Sequence, residues 1–176
     1  MDAASFINDF LRLMAEKNPS GFGGEWTEGI YPVLETIGHD RGYVVNSKRL
    51  NREINHIDFC YFTKADDPNW HPPSVVIEHE NAWDVEETKK DFWKCCLYAA
   101  PLRVTIGYMG NEEKALGAGR ALTEFFDAWR LPKVGETLLI YGWPQEDQNK
   151  RRWHYWLLGE HDHAWKVSGA QQTTKP

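Results

Sequence analysis

Two short apolar runs, residues 74–79 (SVVIEH) and 102–108 (LRVTIGY), flank a segment with a helical start and stop. Each run is apolar on both alternating faces, as expected of a strand buried on both sides rather than lying half in water. Between them, Asp84 is placed to cap a helix over 85–99, Glu86 and Glu87 fall in its first turn where the helix dipole favours negative charge, and Pro101 closes it. Strand, helix, strand in that order predicts a right-handed crossover between parallel neighbours. This one unit excludes an all-helical or all-antiparallel fold.

The flanking sequence extends the pattern. Phe6, Phe10, Leu11, Leu13 and Met14 recur at helical spacing, so 3–16 reads as an amphipathic helix. A Gly/Pro/Ser-rich stretch stops it. Residues 26–37 (WTEGIYPVLETI) read as a second helix, with Pro32 in an early turn and Gly38 at its end. Short β-rich runs follow at 43–45 and 54–62, then the breaker 65–73 (ADDPNWHPP). Beyond the crossover, 112–129 reads as a long helix whose Ala/Gly stretch 115–119 permits close packing. Residues 137–142 and 152–158 read as a closing antiparallel pair around the polar stretch 145–150. The expected architecture is a three-layer α/β sandwich around a mixed sheet, a single domain over 1–167, with 168–176 as a frayed tail.

With 176 residues the chain is long enough for one well-buried core. No apolar run reaches the ~20 residues a membrane span needs, and the start of the chain lacks the pattern of a signal peptide, so a cytoplasmic location is expected. Three cysteines, two of them adjacent, fit free thiols and give no zinc-type spacing. The net charge of −6 argues against a protein that grips nucleic acid by bulk charge, although Lys89, Lys90 and Lys94 form a local basic patch, as do Lys150, Arg151 and Arg152.

Three carboxylates stand out. Asp58 interrupts an apolar run, and Glu78 and Glu80, two apart at the end of the next, project to one face. If those strands are neighbours the three converge, and carboxylates at close quarters repel unless a cation neutralises them. Hard oxygen ligands suit Mg²⁺ or Mn²⁺. The bland alternative for each acid is an exposed strand position.

The run Ile57-Asp58-Phe59, then 75–81 (VVIEHEN), a helix, and 102–108 resembles the PD-(D/E)XK restriction-endonuclease-like family. The resemblance covers about residues 25–110, and it implies a core of a helix, a three-stranded antiparallel run, a crossover helix and a further strand. It implies that Asp58 and Glu78 are metal ligands of a Mg²⁺- or Mn²⁺-dependent nuclease acting on nucleic acid, DNA in the first instance. Glu80 departs from the pattern, standing where the family usually has lysine; it would be a further ligand or the base for the attacking water. Lys94 would supply the missing cation from the following helix, or else be a solvated face lysine. The spacing of Lys94 and Tyr98 is similar to a Gln-x-x-x-Tyr found in certain family members. An acid from the early helix often joins the site; Glu28 and Glu35 are the candidates, with Glu35 preferred. A homodimer would suit cleavage of two strands. The reading from a different class is a catalytically inactive protein-binding or assembly module on the same scaffold, which the acidic charge and many aromatics also fit.

Other residues have quieter readings. His79 should point away from the glutamates into the core. The run Trp153-His154-Tyr155-Trp156 reads as rings covering a sheet, with base stacking on one face as the alternative. His154, His161 and His163 read as a solvated cluster rather than a zinc site, Cys95 and Cys96 as packing residues, and Asn81 as a turn cap or ligand-orienting residue.

Overall fold

A computed structural model describes residues 1–19, 24–50, 52, 54–63, 71–129, 134–144, 151–158 and 168–172. Seven strands, β1 (Val44–Ser47), β2 (Phe59–Phe62), β3 (Val75–His79), β4 (Leu102–Tyr108), β5 (Glu136–Pro144), β6 (Arg151–Leu158) and β7 (Ser168–Gln172), form one sheet in sequence order. The three central strands, β3, β4 and β5, run parallel, and the pairs on either side are antiparallel. Helices α1 (Ala3–Lys17) and α2 (Gly24–Asp40) cover one face, while α3 (Val85–Cys96) and α4 (Glu112–Ala128) cover the other as the crossovers β3–α3–β4 and β4–α4–β5.

The continuous apolar runs behave as expected: every residue of β3 and β4 is buried. On the α1/α2 face, Phe6, Phe10, Trp26, Ile30, Leu34 and Ile37 pack on Phe59, Ile77, Val104, Ile106 and Trp153. On the opposite face, α4 packs Leu122 and Phe126 over Leu139, Tyr141 and Trp156, and α3 packs Cys95 over Cys60 and Val76. Asp84 caps α3 as expected, accepting from Glu86 N at 2.7 Å. The same device starts α1 at Asp2 and α4 at Asn111.

The structure departs from the sequence reading at four places. Helix α2 runs on to Asp40, so Pro32 lies in its interior rather than an early turn. Its carbonyl accepts from Lys17 Nζ at 3.1 Å and from Thr36 Oγ1 at 2.7 Å. Gly38 is therefore inside the helix and does not stop it. Its missing side chain lets β1 and β2 approach: a Cβ there would run into Val45 Cγ2 and the Tyr61 ring. The expected strand over 54–62 begins only at Phe59. Asn55 and His56 hold φ of 50° and 62°, and Ile57 N donates to Ile54 O at 3.0 Å, so residues 54–57 make a tight turn of the kind two consecutive left-handed residues produce. Finally, residues 168–172 are not frayed but pair with β6 as an edge strand, through Arg152↔Gln172 and Trp153↔Gln171.

Gly38 gives a direct test of the packing. Alanine improves helix propensity by up to about 1 kcal/mol, but Val45 is β-branched and buried and the Tyr61 hydroxyl is tied to Leu34 O, so neither can move aside. Gly38→Ala is expected to lower stability by about 1–2 kcal/mol net, read as a shift of the urea midpoint at unchanged slope.

Candidate functional site

The β2–β3 register pairs Phe59 with Ile77 and Cys60 with Val76. Carried one residue further, it sets Asp58 opposite Glu78, where the turn 54–57 delivers the chain to β2 and β3 nears its end. Asp58 is 8% exposed and Glu78 2%. Asp58 Oδ2 accepts from the backbone N–H of His79 at 3.0 Å, and the Tyr31 hydroxyl on α2 also bonds this carboxylate. Glu78, alternating with the core residues Ile77 and His79, faces α3.

There it meets Lys94, whose Nζ lies 2.8 Å from Glu78 Oε1 and 2.8 Å from Asp91 Oδ1, with a longer contact of 3.4 Å to the carbonyl of His56 in the turn. The Glu78 contact is an ion pair by distance without the alignment of a hydrogen bond. Glu80, just past β3, is half-buried; its Oε1 accepts from Ala82 N at 2.6 Å and its carboxyl hydrogen-bonds that of Asp91. Asp91 and Lys94 stand three residues apart on α3, hence on one face.

The electrostatics follow from this crowding. Burial pushes Glu78 up to about 9, the charge of Asp58 adds to that, and Lys94 only partly offsets it. Asp58 is likewise raised by burial, against the pull of the His79 N–H, Tyr31 and Lys48. Glu80 is raised by burial and then by the neighbouring Asp91 charge, while the backbone bond from Ala82 opposes the shift. For Lys94 burial favours the neutral amine, but its close contacts with the Asp91 and Glu78 carboxyls outweigh that and hold it charged. His79 faces the other way, as expected. Its Nε2 lies 2.9 Å from the Tyr108 hydroxyl, and burial lowers it to about 3, so it is neutral.

Of the residues expected from sequence, Asp58, Glu78, Glu80 and Lys94 lie at this end of β3 and α3, Lys94 against Glu78, Asp58 close enough for its charge to act on Glu78, and Glu80 against Asp91. Glu35 does not join them: it accepts from Arg49 Nη1 at 2.7 Å and Ser47 Oγ at 3.2 Å beside β1. Glu28, the other candidate on α2, is the one whose charge reaches Tyr31 together with those of Asp58 and Glu78. Asn81 Nδ2 donates to Thr27 Oγ1 at 3.2 Å, tying the end of β3 to α2. Two participants were missed. Asp91 carried a usable signal, its i−3 spacing from Lys94. Tyr31 carried none, because its approach to Asp58 is wholly tertiary.

Elsewhere, the stacking alternative for β6 is closed: Trp153 is buried against α1 and α2, and His154 and Trp156 are buried on the other face. His154 Nε2 lies 3.1 Å from Glu112 Oε1, and its ring stands 4.5 Å from that of Trp143. His161 and His163 lie outside the described residues. Cys60, Cys95 and Cys96 are buried free thiols.

Among the described residues, no three His, Cys, Asp or Glu side chains are grouped closely enough to hold a metal ion by themselves. Mg²⁺ does not need three: it keeps several waters and is commonly held by one or two carboxylates, with substrate phosphate supplying further oxygens. Asp58 and Glu78 are two buried oxygen donors on facing positions, each disfavoured as an anion by its burial, and their chemistry fits a hard divalent cation. Among the described residues, no helix is long and apolar enough to cross a membrane. The sequence matches no known protein-family model and no curated protein.

Proposed function

We propose that this chain is a divalent-metal-dependent nuclease that hydrolyses phosphodiester bonds, built on a restriction-endonuclease-like core. The observation that carries the reading is the convergence of Asp58 and Glu78 from adjacent strands with Lys94 from the crossover helix. The order α2, antiparallel β1–β2–β3, α3, parallel β4 agrees with the core that the family resemblance implies. Asp58 and Glu78 would hold Mg²⁺ or Mn²⁺, which supplies activation of a water and neutralisation of the leaving oxygen.

The chain's own groups do the rest. The His79 N–H and the Tyr31 hydroxyl fix the Asp58 carboxylate in place. Lys94 keeps its charge and holds it where negative charge develops, the part usually taken by a lysine on β3. Glu80 and Asp91 together form a half-buried carboxyl pair able to accept a proton from water. DNA is the first substrate to try, and a dimer would place two such sites on two strands.

The test is cleavage of single- and double-stranded DNA and RNA with Mg²⁺ or Mn²⁺. Wild type is expected to cut, and Lys94→Met to cut about a hundredfold more slowly, the usual effect of removing one donor to developing charge. Absence of cleavage, together with calorimetry showing no saturable Mn²⁺ binding that Glu78→Gln removes, would leave the assembly-module reading instead.

A further inference from the structure

Nine tryptophans are more than this core consumes. Trp93 on α3 is 44% exposed and Trp129, at the end of α4, 67%. They line one open groove of about 470 Å³ with Phe125, Lys89, Lys90, Lys94 and the acid Glu86, within the range of ligand sites. Among the described residues, the groove surface is aromatic rings and the stems of charged side chains, with no aliphatic side chain in its lining. Lys89 Nζ stands over the Phe125 ring at 5.7 Å from its centre. Phe125 and Trp129 are in ring contact at 5.8 Å.

We propose that this groove binds single-stranded nucleic acid, with bases stacked on Trp93 and Trp129 and phosphates held by Lys89 and Lys90. Exposed rings interleaved with ammonium groups are the composition of strand-binding grooves, where stacking tolerates any base and lysines track the backbone. A helical peptide would instead want aliphatic pockets at helical spacing. A duplex offers no base faces to stack on. Lys89 pairs with Glu86 and Lys90 with Glu87, both at 2.6 Å, but these are exposed i,i+3 pairs, the weak kind that a phosphate displaces.

Lys94 is common to the groove and the carboxylate site: it is among the groove's lining residues, and its Nζ lies 2.8 Å from Glu78 Oε1. That the bound strand is a substrate rests on the nuclease reading; that it binds does not.

The probe is a fluorescein-labelled oligothymidine of about twelve nucleotides, followed by anisotropy in EDTA so that nothing is cut. At about 50 mM KCl, saturable binding is expected, with Trp93→Ala and Trp129→Ala each weakening it about tenfold. The Lys89→Ala/Lys90→Ala variant should lower the log–log salt slope by about one to two. Both tryptophans are exposed, so unchanged melting temperatures should confirm that the variants are folded. No binding by wild type, or tryptophan variants that bind as well as it does, overturns the groove. So does a concentration-dependent dimer, seen by sedimentation, that Trp129→Ala dissolves without any oligonucleotide binding. Binding without cleavage in metal leaves the groove standing and removes the nuclease; cleavage with indifferent tryptophan variants does the reverse.

Discussion

Asp58→Asn is expected to abolish metal-dependent cleavage, by about a thousandfold or more, while leaving the melting temperature of the metal-free protein unchanged or slightly higher. The loss corresponds to several kcal/mol of transition-state stabilisation, the amount a positioned divalent cation supplies. The retained stability follows from what Asp58 does without metal. Its carboxylate is buried and raised by that burial, so replacing it with a neutral amide removes a desolvation penalty. The amide oxygen still accepts from His79 N, now at 3.0 Å from Oδ2, and the Tyr31 hydroxyl can either donate or accept.

Asp58→Ala separates the two roles. It would leave the buried His79 N–H without an acceptor, at about 1–3 kcal/mol, and should therefore lose both cleavage and stability. Circular dichroism melts of the two variants beside wild type, with a plasmid and oligonucleotide cleavage assay, read both quantities. If Asp58→Asn cleaves with metal at the wild-type rate, Asp58 is not a ligand and the site must be redrawn around Glu78, Glu80 and Asp91.

What could be read from the sequence divides by range. The buried parallel strands, the α3 cap at Asp84 and the facing of Glu78 and Glu80 all follow from local rules of period, capping and alternation, and these hold in the structure. The positions that escaped depend on contacts between distant elements. Gly38 looks like a helix stop until β1 and β2 are seen to press on it. Glu35 is separated from Asp58 because Arg49 and Ser47, on and beside β1, take its carboxylate first. The turn at Asn55 and His56 hides within what reads as one strand, because Ile54 and Ile57 keep the apolar texture across it. Charge divides the same way. The basic run Lys89, Lys90 and Lys94 is legible beside a net −6, whereas its place next to two exposed tryptophans depends on α3 meeting the end of α4.

Glu78 should make the metal-free protein less stable as the pH rises through neutrality. Its folded value, about 9, lies above its unfolded one, so its contribution is fully present below the ordinary glutamate range and is lost progressively up to about 9. His79 has the opposite sign: lowered to about 3, it costs stability only below the ordinary histidine range and is silent above pH 6.5 or so. The buried thiols, raised by their own burial, begin to matter only near the ordinary cysteine range. Between about pH 6.5 and 8 the slope is therefore chiefly that of Glu78. It amounts to about 2 kcal/mol across that window. Urea unfolding in EDTA at both pH values should show the fall in wild type and a nearly flat response in Glu78→Gln. A wild type that is equally stable at both, or a Glu78→Gln that declines as steeply, would mean that Lys94 already satisfies Glu78 as a carboxylate. Saturating Mn²⁺ should then raise stability more at pH 8 than at 6.5, since the ion competes with the proton for the same oxygens. Glu78→Gln should erase that difference, because only a carboxylate that must give up a proton links metal binding to pH.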